Sequence, residues 1–556
     1  MGPTGSGSGS GSGSYGVLDG VCPLTVHEAL RRAAAIGPDV EAVVASHGRI
    51  TYAALEAEVA AVRAALAAAG VRRGDHVAVC LGNGPEWVTL FLAIGSLGAV
   101  TVPINTRWRA PEIAYALRQS RSSTLFVADR FLNIDFIAVL REICPAVDAE
   151  LPGADLPDLR SVVVLGRNGT ADVPAAARSW HDFRAGAAGP VEPSGTPDDV
   201  VLIQYTSGTT SHPKGVLLTQ LNMCADAFFS GERLGLRAGD RFHSARPFFH
   251  AAGSTLTVLA CVQHAATVVT MDRFEAGEAL RLIEEERCTH FSGNDTIALM
   301  LLNHPDRPRR RLRLRGAWAA ASPAVVRRIV DELGASECVV GYGLSEASPN
   351  VAQSAWWEPE DVRAGGRMLP EPGVEVRIHD PESGRDLPAG DVGEILVRGW
   401  NVMRGYYAMP DETAETLSPD GWLRTGDLGR LGDDGRLEFV GRAKELIRVG
   451  GENVAPTEVE DVLHGHPKIK QAAVVGVPDE RLMEVPFAFV VLAEGCAAEP
   501  EEIIAWARER LARFKVPHHV RIVAGFEEFG MTASSKVQKR HLAEHARRLL
   551  DSVETR

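Results

Sequence analysis

From Leu24 onward, short apolar runs alternate with stretches whose apolar residues recur at helical spacing. Residues 51–69, TYAALEAEVAAVRAALAAA, place apolar side chains three and four apart and stop at Gly70, which predicts a helix. The continuous apolar runs at 76–81, 162–165 and 200–205 predict short buried strands. Thr219 stands where a hydroxyl can cap a following helix. This alternation predicts an α/β fold built from layered, mostly parallel sheets. Near residue 390 the texture changes. Residues 393–398, 422–423 and 437–440 read as short strands separated by Gly/Asp turns. Beyond them, strands near 471–477 and 487–492, and a helix over 500–514, predict a small α+β module. Thr457 and Glu460 carry the capping-box spacing for a helix between. The boundary between the two parts falls at 442–445.

A chain of 556 residues has room for more than one domain and a large core. Residues 5–14 alternate Gly and Ser, a linker composition with nothing to pack, so residues 1–23 are set aside as a tail or added linker. The apolar run at 90–103 is broken by Gly and Ser and is too short to span a bilayer. No basic flank and apolar segment mark a signal peptide, which predicts a cytoplasmic protein. Lys plus Arg number 58 against 72 Asp plus Glu, a net charge of −14, which argues against a general nucleic-acid binder. Any polyphosphate site must therefore build its positive field locally. The eight cysteines form no C-x-x-C pair, which fits reduced thiols and argues against a Cys/His metal site.

The most informative run is IQYTSGTTSHPKGV, residues 203–216. Small hydroxyl residues flank Gly208, and Lys214 follows. Such a loop can turn backbone N–H groups and hydroxyls onto phosphate oxygens, with Lys214 as a point charge. The common P-loop needs Gly before its Lys and Ser or Thr after it. Pro213 and Gly215 hold those places here. Five further runs follow in order: PFFH at 247–250, GYGLSE at 341–346, GWLRTGDLG at 421–429, GRAKELIRVGGEN at 441–453 and MTASSKVQK at 531–539. GYGLSE fails as a dinucleotide fingerprint because Glu346 stands where the third glycine belongs.

Together these runs resemble the adenylate-forming superfamily of acyl-CoA synthetases, adenylation domains and luciferases, over about residues 24–550. The resemblance implies a large N-terminal domain at 24–441, a small mobile α+β domain at 442–556, a hinge at Lys444, and an active site between them. It implies an AMP-forming ligase that uses ATP and Mg²⁺ to convert an acid to an acyl-adenylate, then passes the acyl group to coenzyme A. The partners are then small molecules, with no nucleic acid and no membrane span, and a homodimer is compatible with the family.

The same resemblance assigns roles. Thr206, Ser207, Gly208, Thr209, Thr210 and Lys214 hold the β- and γ-phosphates. Glu346 is the Mg²⁺ carboxylate, and Ser345, where Thr is commoner, bonds the α-phosphate. Tyr342 stacks on adenine, with Ala319 and Gly343 beside it. Asp427 accepts from both ribose hydroxyls, which suits a carboxylate, and Arg442 reaches the ribose as well. Taken alone, Gly426-Asp427 is an ordinary turn and Arg442 a structural ion-pair residue. Lys536 is the catalytic ammonium that joins carboxylate to α-phosphate, stabilising charge that gathers in the transition state. Its removal is expected to abolish adenylation while leaving ATP binding. Ser535 departs from the usual Gly and adds a Cβ to that loop. For the second step, Arg448, Gly450 and Gly451 line the route of pantetheine, where glycine leaves the approach open; Gly450-Gly451 also reads as a tight turn.

His250 ends PFFH, which relatives place beside the reacting carboxylate. No Asp lies between Pro247 and Ser254, which argues against an amino-acid substrate. Trp318, in RGAWAAASP at 315–323, stands where Gly is frequent. An indole there fills space a long acyl chain needs, so a short pocket and a small acid are expected, lined by His250, Trp318, Gly341 and Gly343. A second reading keeps adenylation but changes the partner, to a carrier protein, an amine, or a small oxyanion such as nitrite in place of the acid. Retention of Lys214, Glu346, Asp427 and Lys536 argues against a nucleotide sensor without turnover.

Overall fold

Two large sheets and one small one account for the strands predicted above. The computed structural model describes residues 16–166, 172–206, 213–450, 452–530 and 537–554. The phosphate-loop residues Ser207, Gly208, Thr209 and Thr210, and also Gly451, Ser535 and Lys536, lie outside the described residues.

The first large sheet has seven strands, in the order Lys214–Thr219, Val200–Thr206, Val100–Pro103, His76–Cys80, Thr124–Ala128, Ser161–Leu165 and Arg178–Ser179. All neighbours run parallel except the first pair, an antiparallel hairpin in which Thr206 faces Lys214. The second sheet has fourteen strands. Its parallel part runs through Glu41–Ala45, Thr267–Val269, Arg241–Ser244, His290–Asn294, Gly316–Ala320 and Glu337–Gly343. From Asn350–Gln353 onward it turns antiparallel, through Arg367–Pro370, Leu437–Arg442, Leu423–Leu431 and Gly393–Gly399.

The apolar run at 90–103 resolves into the end of the buried helix Pro85–Ser96, a turn at Gly98, and the strand Val100–Pro103. Gly98 has φ +72°, a conformation that L side chains resist. The predicted 51–69 helix forms over Tyr52–Ala68, capped by the Thr51 hydroxyl. Thr219 caps Gln220–Leu234 and shares a capping box with Asn222.

The small module begins after the turn Ala443–Glu445, which holds Lys444. Its sheet comprises Glu452–Val454, Ile447–Val449, Met483–Leu492 and Ile469–Asp479, with His519–Ile522 beside Met483–Leu492. Val474, Ala488 and Val490 bury on one face, and Val475, Phe487 and Phe489 on the other, as strand alternation requires. Three details differ from expectation. The strand expected at 422–423 extends over Leu423–Leu431. The helix expected over 500–514 stops at Arg508, because Leu511 and Phe514 turn onto the small core instead. The capping box at Thr457 does not form: Pro456 opens the helix Pro456–His464 at its first position. The Thr457 hydroxyl instead donates to the Val440 carbonyl at 2.7 Å, and Glu460 accepts from the Val474 N–H.

Candidate active site

The parallel strands of the large sheet end at Ser244, Asn294, Ala320 and Gly343, and open α/β sheets bind ligands beyond such carboxyl ends. Three clusters of side chains gather there or on the strands that follow.

The first is built on Asp427. Register places Asp427 opposite Arg442, whose Nε lies 3.4 Å from the Asp427 Oδ1. The Tyr342 hydroxyl donates to Oδ2 at 3.0 Å. Asp427 is buried, so its charge is compensated by these donors, while its backbone N–H donates to Thr425 Oγ1. Burial, with the Asp427 carboxylate next, pushes the Tyr342 phenol well above its usual range. One face of the Tyr342 ring stacks on Phe439, with centroids 5.3 Å apart. Gly343 follows, and a Cβ there would stand 1.8 Å from the Pro349 carbonyl oxygen, so only glycine fits.

The second cluster joins Glu346 to the hairpin that carries the phosphate loop. Ser345 and Glu346 sit in the single turn Ser345–Ala347. The Tyr406 hydroxyl donates to Glu346 Oε1 at 3.0 Å, and the Lys214 Nζ lies 4.9 Å from the Tyr406 ring centroid. Burial, then the Glu346 charge, raises the Tyr406 phenol. Tyr406 was not singled out by sequence. Backbone bonds between 404–407 and 215–217 bring it there, including Tyr407 N–H to the Gly215 carbonyl at 2.7 Å. Thr206 and Lys214, which bracket the phosphate-loop sequence, face each other across an antiparallel strand pair, so a strand and not a helix follows it in the chain. Lys214 at the start of that second strand is a positive charge at this place.

The third cluster surrounds Trp318. Its Nε1–H donates to Gln353 Oε1 at 3.0 Å, and its ring covers Gly341, where a Cβ would lie 2.5 Å from Cζ2. Asn350 Nδ2 also donates to that Gln353 oxygen and to Glu371 Oε1. Ala319, next along the strand, points to the opposite face from Trp318. His250 caps the turn Ala251–Gly253, and the Ala252 N–H donates to its Nδ1 at 3.3 Å, so a neutral ring carries its proton on Nε2. Immediately beyond lies a buried π-helical segment, Ser254–Leu259, a geometry frequent at functional sites.

The chain matches the family model "AMP-binding enzyme" over residues 30–407, and "AMP-binding enzyme C-terminal domain" over 458–536. The chain belongs to the AMP-binding enzyme family. Within it, a methyl-dioxo-octahydroindenyl-propanoyl:CoA ligase of Rhodococcus jostii (strain RHA1) is 37% identical over 94% of this chain and 99% of its own. Among solved structures, the anthranilate CoA ligase AuaEII in complex with anthranoyl-AMP superposes with TM-score 0.84 at 26% identity, covering 95% of this chain and 99% of its own. The amide bond synthetase McbA of Marinactinospora thermotolerans gives TM-score 0.77 at 29% identity, covering 93% and 99%. The large domain, the small α+β domain and the adenylate-forming fold expected from sequence are therefore present.

The remaining family positions sit on the small domain. Arg448 is exposed, its N–H on Glu484 Oε2, and Gly450 turns the hairpin at φ +59° with its N–H on the Leu482 carbonyl. Lys539, three residues beyond Lys536, pairs with Glu460 at 2.9 Å and Glu445 at 3.6 Å. It ties the start of the last helix to the turn holding Lys444, a link that sequence did not reveal. Among the described residues, no helix is long and apolar enough to cross a membrane.

Proposed function

We propose that this chain is an ATP-dependent, AMP-forming acid–CoA ligase that activates a compact acid where the three clusters meet. The observation that carries the reading is the pairing of Asp427 with Tyr342 and Arg442 beside the Glu346–Tyr406–Lys214 cluster. A ribose acceptor on the larger sheet and a phosphate-and-cation end, at the turn Ser345–Ala347 and the strand Lys214–Thr219, are then linked through the strand Glu337–Gly343 that leads into that turn.

In this reading Asp427 accepts from the ribose hydroxyls, sharing lone pairs with Tyr342, since a carboxylate has about four acceptor sites. Lys214 and the residues Thr206, Ser207, Gly208, Thr209 and Thr210 hold the phosphates. The donor set at Glu346, a carboxylate held by a phenol, is all oxygen and fits Mg²⁺, which when bound offsets phosphate charge. The acid's carboxylate oxygen attacks the α-phosphorus, the bond to pyrophosphate breaks, and Lys536 stabilises the gathering charge. Rotation about Lys444 then replaces Lys536 by Arg448, Gly450 and Gly451, and the CoA thiolate displaces AMP. His250 orients the reacting carboxylate through its Nε2–H. The bulk of Trp318, pinned over Gly341, limits the acid to a small one.

A second reading changes the acceptor to an amine, or the acid to a small oxyanion such as nitrite. Likeness to an amide bond synthetase favours keeping it in the test. The test is pyrophosphate release over a panel of acids and nitrite, with CoA or aryl amines added, scored for AMP and thioester. The expected result is acid- and CoA-dependent AMP and thioester. Thioester formation by none of the acids overturns the CoA reading.

A further inference from the structure

Arg246 is a half-buried cation at the acid end of the site, with no counter-ion among the described residues. It stands just past the carboxyl end of strand Arg241–Ser244 and four residues before His250. Its Nη1 is buried with no hydrogen-bond partner, and no carboxylate pairs with it, among the described residues. Its guanidinium carbon lies 4.1 Å from the centroid of the Trp318 ring. Burial lowers its pKa to about 9, which leaves it charged at neutral pH. Stacking on indole orients the guanidinium but supplies no negative charge.

The backbone under Arg246 is rigidly held. Its N–H donates to Ser244 Oγ at 3.3 Å, and its carbonyl accepts from Asn83 Nδ2 at 2.9 Å. Asn83 also takes the Phe248 N–H at 2.8 Å. The indole on the other side is fixed through Gln353. The floor beneath is polar as well. Ser244 pairs in register with Ser292, and Ser292 with Trp318, so all three side chains share one sheet face. The Ser292 and Thr257 hydroxyls lie 2.9 and 3.0 Å from Ser244 Oγ. A site for an alkyl tail has no use for a half-buried, unpaired cation beside a row of hydroxyls, because an unpaired charge removed from water is costly.

We propose that Arg246 seats a second anionic group of the substrate, so that the acid is a short compound carrying a carboxylate or comparable oxyanion besides the carboxylate that is adenylated. The guanidinium fork binds the distal anion, and Trp318 limits the spacer between the two groups. This rests on the reading above that the chain adenylates an acid in this pocket.

The test is acid-dependent ATP–pyrophosphate exchange with matched pairs: propionate against succinate, butyrate against glutarate, benzoate against isophthalate, with nitrite as a further arm. Wild type, Arg246→Met and Arg246→Lys are compared, with thermal unfolding of each to confirm folding. The expected result is that wild type favours a diacid over its monoacid by roughly 100-fold in kcat/KM, within the worth of one hydrogen bond to a charged group. Arg246→Met collapses that ratio towards one, and Arg246→Lys restores part of it. Equal use of mono- and diacids by wild type overturns the second anion but leaves the ligase reading intact. So does a ratio that Arg246→Met does not change, an outcome readable from Arg246→Lys if the Met variant fails to fold. Exchange with nitrite alone would put Arg246 on the reacting oxyanion and overturn the proposal. Exchange with no acid overturns it together with the ligase reading.

Discussion

The proposed ribose end and acid end of the site handle charge in opposite ways. Asp427 is met by the protein's own donors, Tyr342 and Arg442. Arg246 has stacking and no carboxylate among the described residues. On the proposed reading ATP brings neutral hydroxyls to Asp427, so the protein itself compensates the carboxylate. On the same reading, the charge missing at Arg246 is one the substrate brings. A group compensated in advance serves a substrate common to a whole family, whereas a charge held in waiting selects one substrate.

Breaking the ribose end has the largest expected effect. Asp427→Ala removes an acceptor for two ribose donors and strands Arg442 and the Tyr342 hydroxyl. Hydrogen bonds to a charged group are worth about 1.5–3 kcal/mol each, so kcat/KM for ATP should fall roughly 1000-fold. ATP–pyrophosphate exchange measures it, and a loss below about tenfold would mean that the ribose lies elsewhere.

Next in size is the wall of the acid end. Trp318→Ala empties a buried indole and frees Gln353 Oε1 of one donor. The expected cost is about 3–5 kcal/mol of unfolding free energy, read by denaturant titration. The same variant should extend the range of usable acids by several carbons. If the acid-length profile stays put while stability falls, Trp318 is structural only.

How much of this contrast was legible in the sequence follows from where its residues sit. Asp427, Tyr342 and Glu346 lie inside runs whose composition is the signal, and the strands around them announce themselves by apolar continuity. Tyr406 is sixty positions from Glu346 and arrives through backbone pairing of 404–407 with 215–217, which no local pattern encodes. Arg246 lies one residue before PFFH. A charged side chain opening an otherwise apolar run was a visible signal, but its lack of a partner is a property of packing alone. Thr457 shows the reverse error: correct spacing for a capping box, overridden by Pro456 and by the Val440 carbonyl.

The support behind Trp318 offers a smaller, pH-dependent test. Glu371 is fully buried against Asn350, with the Arg233 Nε at 3.3 Å. Burial raises its pKa from 4.5 to about 7, outweighing Arg233. The native state therefore holds this proton more tightly than the unfolded chain does. The associated stability is full below pH 4.5 and is lost as pH rises to about 7. Gln at this position keeps an acceptor for Asn350 and does not titrate. Glu371→Gln should thus gain roughly 2–3 kcal/mol relative to wild type between pH 5 and pH 8. Urea titrations at both pH values decide it, and a difference that ignores pH would show that Glu371 stays ionised through Arg233.

The smallest effect probes the join between the two ends. Tyr406→Phe keeps the ring under Lys214 and deletes only the hydroxyl donated to Glu346. If that hydroxyl orients the carboxylate for the cation, kcat/KM for ATP should drop about tenfold, the worth of one hydrogen bond to a charged group. The apparent Mg²⁺ requirement should rise with it, and excess Mg²⁺ should recover part of the loss. Loss of the same size at every Mg²⁺ concentration would instead place Tyr406 with the phosphates, as a ring that holds Lys214 in position and leaves Glu346 to orient itself.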